Sequence, residues 1–182
     1  TLVTDLNVLL KFTPVLPKSY LNPDILMLGN IDPALQIKVI EQIEVRPKLV
    51  VLDTMNFWMD IAMDNLKAVI AKIDVITIND EEARQLSGEY SLVKAARKIF
   101  TMGPRFVIIK KGEHGALLFH EDQVFFCPAL PLEEVFDPTG AGDTFAGGFV
   151  GWLDKTRDIS YDNMKRALIY GSAMASFCVE KF

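Results

Sequence analysis

The segment Asp137–Phe149, with the sequence DPTGAGDTFAGGF, combines a turn of small residues, an acidic side chain and the start of an apolar run. The run Phe145–Leu153 is apolar and rich in small residues, which is typical of a buried helix. Gly140-Ala141-Gly142 lies where that helix should begin, so backbone N–H groups without a partner inside the helix point outward there. Together with the positive end of the helix dipole, these donors predict an anion site.

The residue types in this turn suit a transferring phosphoryl group. Side chains larger than alanine would keep a phosphate away from the backbone, which accounts for three small residues in succession. Asp143 falls in the first turn of the predicted helix, where its carboxylate could accept the proton of an attacking hydroxyl. Meanwhile the amides of Gly140, Ala141 and Gly142 would hold the phosphoryl group in line. A purely structural interpretation is that Thr139 caps a core helix and Asp143 complements its dipole.

The whole run Asp137–Phe149 resembles the second signature of the PfkB family of carbohydrate and nucleoside kinases, within the ribokinase-like superfamily. The resemblance implies a ribokinase-like three-layer α/β/α fold with a mainly parallel sheet. It implies a sugar kinase that transfers the γ-phosphoryl group of ATP to a hydroxyl of a carbohydrate or carbohydrate-like molecule, with Mg²⁺ as cofactor and Asp143 as base. By the same resemblance, Thr139 contacts the nucleotide and Asp137 helps to order a monovalent cation such as K⁺.

A second patch, Asn79-Asp80-Glu81-Glu82, follows the β-branched run Val75–Ile78, which is suited to a buried strand. It resembles the Asn-x-x-Glu motif of the family, which implies that Asn79 and Glu82 help to place Mg²⁺ and the phosphates, usually through water. Magnesium prefers oxygen ligands and keeps several waters, so a carboxylate can order its hydration shell. The same spacing is that of a helix capping box, and both roles can coexist.

The segment Phe106–Phe119 holds two apolar runs around a tight polar turn, which predicts a β-hairpin. In the family, the strand before this turn reaches the nucleotide phosphates. The resemblance therefore implies that Lys110 contacts a phosphate and that Gly112 and Gly115 lie at the nucleotide. A lysine there would offset the charge of the triphosphate. Lys110 or Lys111 could equally be an exposed turn residue, which is the usual position of a lysine.

The segment Val50–Trp58 is an apolar strand that ends in polar groups, at the position where ligands of open α/β sheets bind. It resembles the part of the family that carries Asp-x-Asn or related residues near the substrate and phosphates. Asp53 and Asn56 are therefore candidate active-site or supporting residues. By analogy with the last helices of the family, residues near Ala167 to Ser176 are candidates to line the adenine.

The remaining sequence alternates between strand and helix patterns. Strands are predicted at Ile25–Leu28, Leu49–Asp53, Val75–Ile78 and, beyond the hairpin, Val124–Cys127. Helices are predicted after the cap and first position Asp32-Pro33, around Leu66–Ile73, from Ser91 to the stop at Gly103-Pro104, and over Tyr161–Phe182. Such alternation predicts a mainly parallel sheet with helices on both faces.

Composition limits the class of protein. With 182 residues, half of them hydrophobic, residues 1–182 are expected to form a single domain. A net charge of −5 disfavours nucleic-acid partners, and without a membrane-length apolar stretch or a basic leader we expect a soluble cytoplasmic protein with no membrane partner. Cys127 and Cys178 are predicted to be reduced core thiols, and neither His114 nor His120 has partners at metal-ligand spacing.

Members of the family carry a further N-terminal portion before the point that matches Thr1, with a Gly-Gly signature and strands that form a lid over the sugar. We therefore expect a fragment, roughly the C-terminal two-thirds of a member, and a possible homodimer through the lid strands in the full-length protein. Two alternatives stay open: a non-catalytic nucleotide-binding or scaffold protein of this fold, and a pyridoxal- or hydroxymethylpyrimidine-type kinase. A dinucleotide-binding oxidoreductase is disfavoured because its glycine turn should open the first strand–helix unit.

Overall fold

A six-stranded sheet organises the computed structural model, which describes residue 9 and residues 11–180 of the chain. The strands lie side by side in chain order: β1 Ile25–Leu28, β2 Leu49–Asp53, β3 Val75–Asn79, β4 Phe106–Lys110, β5 Ala116–His120 and β6 Gln123–Cys127. Strands β1 to β4 are parallel, whereas β4, β5 and β6 are joined by antiparallel pairing. The predicted strands, the hairpin and the mainly parallel sheet are confirmed.

Seven helices flank this sheet in the described part of the chain. They are α1 Pro33–Gln42, α2 Asn56–Ile61, α3 Met63–Ile70, α4 Asp80–Ser87, α5 Leu92–Phe100, α6 Ala141–Thr156 and α7 Tyr161–Glu180. Side chains of α1 to α5 join the apolar cluster on one face of the sheet, and those of α6 and α7 join the cluster on the other. This is the three-layer α/β/α arrangement that the alternation predicted. Thr1–Val8 and the last two residues of the predicted C-terminal helix lie outside the described residues.

Burial on both faces explains the uninterrupted apolar strands. In β2, Leu49 and Val51 belong to the cluster under α6 and α7, whereas Val50 and Leu52 belong to the cluster on the opposite face. All four side chains are buried. A strand covered on both sides loses the apolar–polar alternation of a half-exposed strand, as expected for a parallel sheet between helical layers.

Helices α6 and α7 pack against each other and fix the direction of α6. Phe149 and Leu153 of α6 are fully buried in the cluster beneath the helix pair. Trp152 stacks on Tyr170 with ring centroids 3.9 Å apart and donates a hydrogen bond from Nε1 to Oδ1 of Asn163 at 3.0 Å. The N-terminal end of α6 is thereby held near the C-terminal edge of the parallel strands, where ligands of such sheets bind.

Helix α2 was not predicted, because the sequence analysis treated Asp53 to Trp58 as a polar strand end. The structure shows a helix of six residues beginning at Asn56. Trp58 is buried and donates from Nε1 to Oδ1 of Asn30 at 2.8 Å. So short a helix is unstable alone and depends on packing, which explains why the local pattern gave no signal for it.

Within the described residues, no helix combines the length and apolar character needed to cross a bilayer.

Candidate active site

The start of α6 presents backbone donors without partners. Gly140 is the N-cap residue, in a left-handed conformation with φ of 80°, and no side chain caps the helix. The Ala141 N–H donates to the carbonyl of Pro138 at 3.1 Å, and the Thr144 N–H donates to Gly140. The amides of Gly142 and Asp143 have no acceptor among the described residues. Two free N–H groups and the positive end of a 16-residue helix therefore form an anion-binding geometry.

The structure corrects the interpretation that Thr139 caps α6. Thr139 lies one residue before the N-cap, and its amide donates to Oδ1 of Asp137 at 2.8 Å. Thr139 therefore belongs to a short turn before the helix, and Gly140 is the N-cap residue. Hydrogen bonds from the Thr139 hydroxyl and amide lower the pKa of the Asp137 carboxyl, which stays ionised. The Thr139 carbonyl accepts a long contact of 3.7 Å from Sγ of Cys178.

Asp143 occupies the first turn of α6, as the sequence predicted. Its side chain is exposed and forms no ion pair or hydrogen bond with any described residue. A carboxylate that is neither buried nor engaged can approach a bound hydroxyl and accept its proton. Asp143 lies in the same first turn of α6 as the free amide of Gly142.

Lys110 is not an exposed turn residue. It ends β4, its side chain is 18% exposed, and its Nζ lies 2.8 Å from Oδ1 of the buried Asp53. A Cβ added to Gly142 would lie only 3.3 Å from that Nζ. The ammonium group therefore lies between a buried carboxylate and the first turn of α6, where it adds a positive charge beside the free amides. Lys111, by contrast, begins the hairpin turn and donates its amide to Gly115.

Asn79 and Glu82 form the capping box that the spacing allowed. Oδ1 of Asn79 accepts the Glu82 N–H and Oε2 of Glu82 accepts the Asn79 N–H, each at 2.8 Å. Burial raises the pKa of Glu82, against the opposing influence of the Asn79 amide and the Lys110 charge. Oε1 of Glu82 accepts no hydrogen bond from the described residues, so this carboxylate can still order water around a cation.

The structure also gives the positions of three other predicted residues. Asn56 donates from Nδ2 to Oε1 of Gln85 at 3.1 Å, which links α2 to α4. Gly115 is buried, and a Cβ there would lie 2.0 Å from the carbonyl of Cys127, so packing alone demands a glycine. Gly112 lies exposed in the turn between β4 and β5.

The predicted adenine-lining residues lie in α7. Ala167, Leu168, Gly171 and Ser176 are buried, and a Cβ on Gly171 would lie 2.7 Å from the Phe145 carbonyl of α6. The structure therefore assigns part of this range to helix packing. The side chains of Ile169, Tyr170 and Met174 stay exposed.

Both cysteines are free thiols, and no metal-binding group of three or more histidine, cysteine or acidic residues forms among the described residues.

One member of the site, Thr77, was not predicted from the sequence. Its hydroxyl donates to Oδ1 of Asp53 at 2.6 Å, and both side chains are buried. Thr77 lies in β3 directly beside Asp53 in β2, in parallel register. The available signal was a hydroxyl within a buried β-branched run, which requires a partner in the interior.

The sequence model of the family described as pfkB family carbohydrate kinase matches residues 21–182 of the chain. The chain belongs to this family. A curated relative of this pfkB-family chain, the cytidine kinase of Thermococcus kodakarensis, is 30% identical over 149 residues, which cover 79% of this chain and 52% of the relative. The matches cover 52%, 33% and 37% of the length of three curated relatives, so the chain spans about half of these relatives or less.

Solved structures of ribokinases share the fold. The structure of Arabidopsis thaliana ribokinase with ribose and ATP aligns with a TM-score of 0.68 and 26% identity, over 87% of this chain and 50% of that one. A candidate ribokinase II from E. coli, in complex with ATP and Mg²⁺, aligns with a TM-score of 0.72 and 22% identity, over 87% and 53% of the two chains. The ribokinase-like fold implied by the resemblance is confirmed.

Proposed function

We propose that this pfkB-family chain forms the nucleotide-binding and phosphoryl-transfer part of a kinase that uses ATP to phosphorylate a hydroxyl of a sugar or nucleoside. The observation that carries the proposal is the convergence at the start of α6. Nζ of Lys110 lies 3.3 Å from the Cβ position of Gly142, beside the free amides of Gly142 and Asp143 and the exposed Asp143 carboxylate. Positive charge, N–H donors and a proton acceptor are the parts that phosphoryl transfer needs.

In the proposed reaction, Asp143 accepts the proton of the acceptor hydroxyl as its oxygen bonds to the γ-phosphorus. The bond from that phosphorus to the β–γ bridging oxygen breaks, and ADP leaves with the electron pair. The amides around Gly140, Ala141 and Gly142 stabilise the charge on the transferred group. The Ala141 amide must first release the Pro138 carbonyl, whereas the Gly142 amide is already free. Lys110 offsets the charge of the phosphates, near which the proposal also places Thr139, Gly112 and Gly115.

The side chains present fit a magnesium ion held through water. Oε2 of Glu82 is engaged by the Asn79 amide, which leaves Oε1 to order a hydration shell while the capping box stays intact. Bound Mg²⁺ supplies charge neutralisation for the phosphates. The ionised Asp137 is the proposed ligand of a potassium ion, because its carboxylate is held by Thr139 at the turn before α6. Replacing K⁺ by Na⁺ in the assay, with a lower turnover expected, tests that assignment.

The acceptor is proposed to be a ribose-type hydroxyl, on a free sugar or on a nucleoside. One relative is named cytidine kinase, and the Arabidopsis structure holds ribose. Both compounds offer a ribose hydroxyl, and the proposed roles of the residues at the start of α6 concern that hydroxyl and the phosphoryl group.

The test is ATP consumption by the full-length protein with a panel of pentoses, hexoses and nucleosides, together with pyridoxal and hydroxymethylpyrimidine. Turnover with a sugar or nucleoside, with the phosphorylated product identified by ³¹P NMR, supports the proposal. Turnover confined to pyridoxal or the pyrimidine would move the protein to the vitamin-kinase alternative. No turnover with any acceptor would favour a non-catalytic nucleotide-binding or scaffold protein.

A further inference from the structure

Asp53 and Lys110 form a buried ion pair across the middle of the sheet. Asp53 ends β2 and Lys110 ends β4, and β3 lies between these two strands. The lysine side chain therefore crosses the end of β3 to bring Nζ within 2.8 Å of Oδ1 of Asp53. The exposed fractions of the two side chains are 18% and 8%. Such a pair restricts the conformations of a flexible lysine side chain.

The hydroxyl of Thr77 completes this arrangement. It donates to the same Oδ1 at 2.6 Å and belongs to β3, the strand that the lysine crosses. Two donors on one carboxylate oxygen fix its orientation. The negative charge of Asp53 would itself repel a phosphate bound at the proposed position. Any favourable effect on phosphoryl transfer must therefore pass through Lys110.

We infer that Asp53 is a positioning residue for phosphoryl transfer, which together with Thr77 holds the Lys110 ammonium beside the first turn of α6. The inference rests on the proposed kinase function. In this arrangement the ammonium is ordered before the nucleotide arrives, so no reorganisation is needed as charge develops on the transferred group. Asp53 lowers the barrier of the chemical step and opposes the binding of the nucleotide in its ground state.

The experiment is a double-mutant cycle in the full-length kinase, with kcat and KM for ATP measured for Asp53→Asn, Lys110→Met and the double variant. We expect Lys110→Met to lower kcat by about 100-fold to 1,000-fold, the effect of losing one donor to developing charge. Asp53→Asn should lower kcat by about 10-fold to 100-fold through misplacement of the ammonium, with KM for ATP unchanged or lower because a negative charge is removed. In the Lys110→Met background, Asp53→Asn should have no further effect on kcat.

Urea unfolding of the ligand-free proteins gives a readout independent of activity. Asp53→Asn should lower the unfolding midpoint of the wild type but raise that of Lys110→Met, where the carboxylate is buried without its partner. Thr77→Val, a near-isosteric change, allows the same kinetic cycle if Asp53→Asn does not fold. Asp74→Asn serves as the matched control, because that buried aspartate pairs with Arg46 and Arg105 away from Lys110.

The outcomes distinguish a failure of the proposed kinase function from a failure of the positioning role of Asp53. An inactive wild type would remove the proposed function and this inference with it. An active wild type in which the effects of Asp53→Asn and Lys110→Met on kcat multiply would overturn the positioning role alone. A variant Asp53→Asn with wild-type kcat and only a lower unfolding midpoint would also overturn it, because the ion pair would then serve stability only.

Discussion

Two buried aspartates, Asp74 and Asp53, lie at opposite ends of the parallel sheet and illustrate two uses of a buried charge. Asp74 immediately precedes β3, at the N-terminal edge. Its Oδ2 accepts hydrogen bonds from the Val50 amide at 2.9 Å and from Arg46 at 3.1 Å, and its Oδ1 lies 3.3 Å from Nε of Arg105. Both oxygens are engaged by groups of the strand ends that they join.

Asp53 lies at the C-terminal edge and is engaged differently. Its two donors, Lys110 and Thr77, share the single oxygen Oδ1, and Lys110 in turn lies beside the free amides of α6. The charge network at this edge therefore extends toward the free amides of α6, whereas both oxygens of Asp74 bond to groups at the strand ends. The Asp74 contacts therefore join strand ends at the N-terminal edge, whereas free backbone donors lie at the C-terminal edge, the edge at which ligands of open α/β sheets generally bind.

The first prediction concerns the C-terminal edge of the sheet, at the start of α6, and has the largest expected effect. In the full-length protein, Asp143→Asn should lower kcat by about 100-fold to 10,000-fold, because the proposed general base is lost. Thermal unfolding should change little, since the Asp143 side chain forms no ion pair or hydrogen bond with a described residue. Asp154→Asn in the same helix is the control, because that exposed aspartate pairs with Arg157. Equal kcat values for wild type and Asp143→Asn would exclude the base role.

The second prediction tests the approach of Lys110 to α6. Gly142→Val should lower kcat/KM by about 100-fold, because a Cβ 3.3 Å from Nζ of Lys110 displaces the ammonium and crowds the amides. Gly147→Val is a matched control: it makes the same exchange in the same helix, where no atom outside the adjoining helix backbone lies within 4 Å of the added Cβ. If both variants retain full activity, the phosphoryl group binds elsewhere.

The third prediction concerns the N-terminal edge of the sheet, at Asp74. Asp74→Asn should lower the free energy of unfolding by about 1–3 kcal/mol, because hydrogen bonds to a charged group are weakened at the strand ends. It should leave kcat/KM unchanged, as measured beside urea denaturation. Asp122→Asn, an exposed residue of the turn between β5 and β6, is the control and should alter neither quantity. A loss of activity without a loss of stability would contradict a purely stabilising role of Asp74 at the N-terminal edge.

The fourth prediction uses the raised pKa of Glu82 and has the smallest expected effect on stability. Since burial raises the folded-state pKa, the protonated form is favoured in the folded protein, and its stabilising contribution is lost as the pH rises through that pKa. Glu82→Gln keeps a side chain that can cap α4 and removes the buried charge. At neutral pH its unfolding free energy should equal or exceed that of wild type, and this advantage should shrink toward acidic pH.

Activity gives the second measurement for Glu82→Gln. The kcat of the full-length kinase should fall, and the Mg²⁺ concentration for half-maximal activity should rise, because the carboxylate no longer orders the hydration shell of the ion. An unchanged Mg²⁺ dependence would limit Glu82 to its capping role.

Much of this architecture was predictable because its signals are local. The β-branched run Val75–Ile78 predicted β3, and the Asn79 to Glu82 spacing predicted a capping box that the structure shows. The small residues before Phe145 predicted where α6 begins. The alternative interpretation, in which Thr139 caps α6, is wrong, because the N-cap of α6 is Gly140 and the Thr139 amide bonds to Asp137. The site roles of Asp143, Asn79 and Glu82 remain predictions.

The sequence by itself determined the strands, most of the helices and the segment from which the free amides of α6 arise, since hydrophobic periodicity and turn chemistry act over a few residues. Only the tertiary structure decided that Lys110 meets Asp53, 57 positions away, and that the Lys110 ammonium lies beside Gly142. That contact depends on β3 lying between β2 and β4 and on the conformation of a long side chain. Neither is encoded within a local window of sequence, because both arise from packing of the whole sheet.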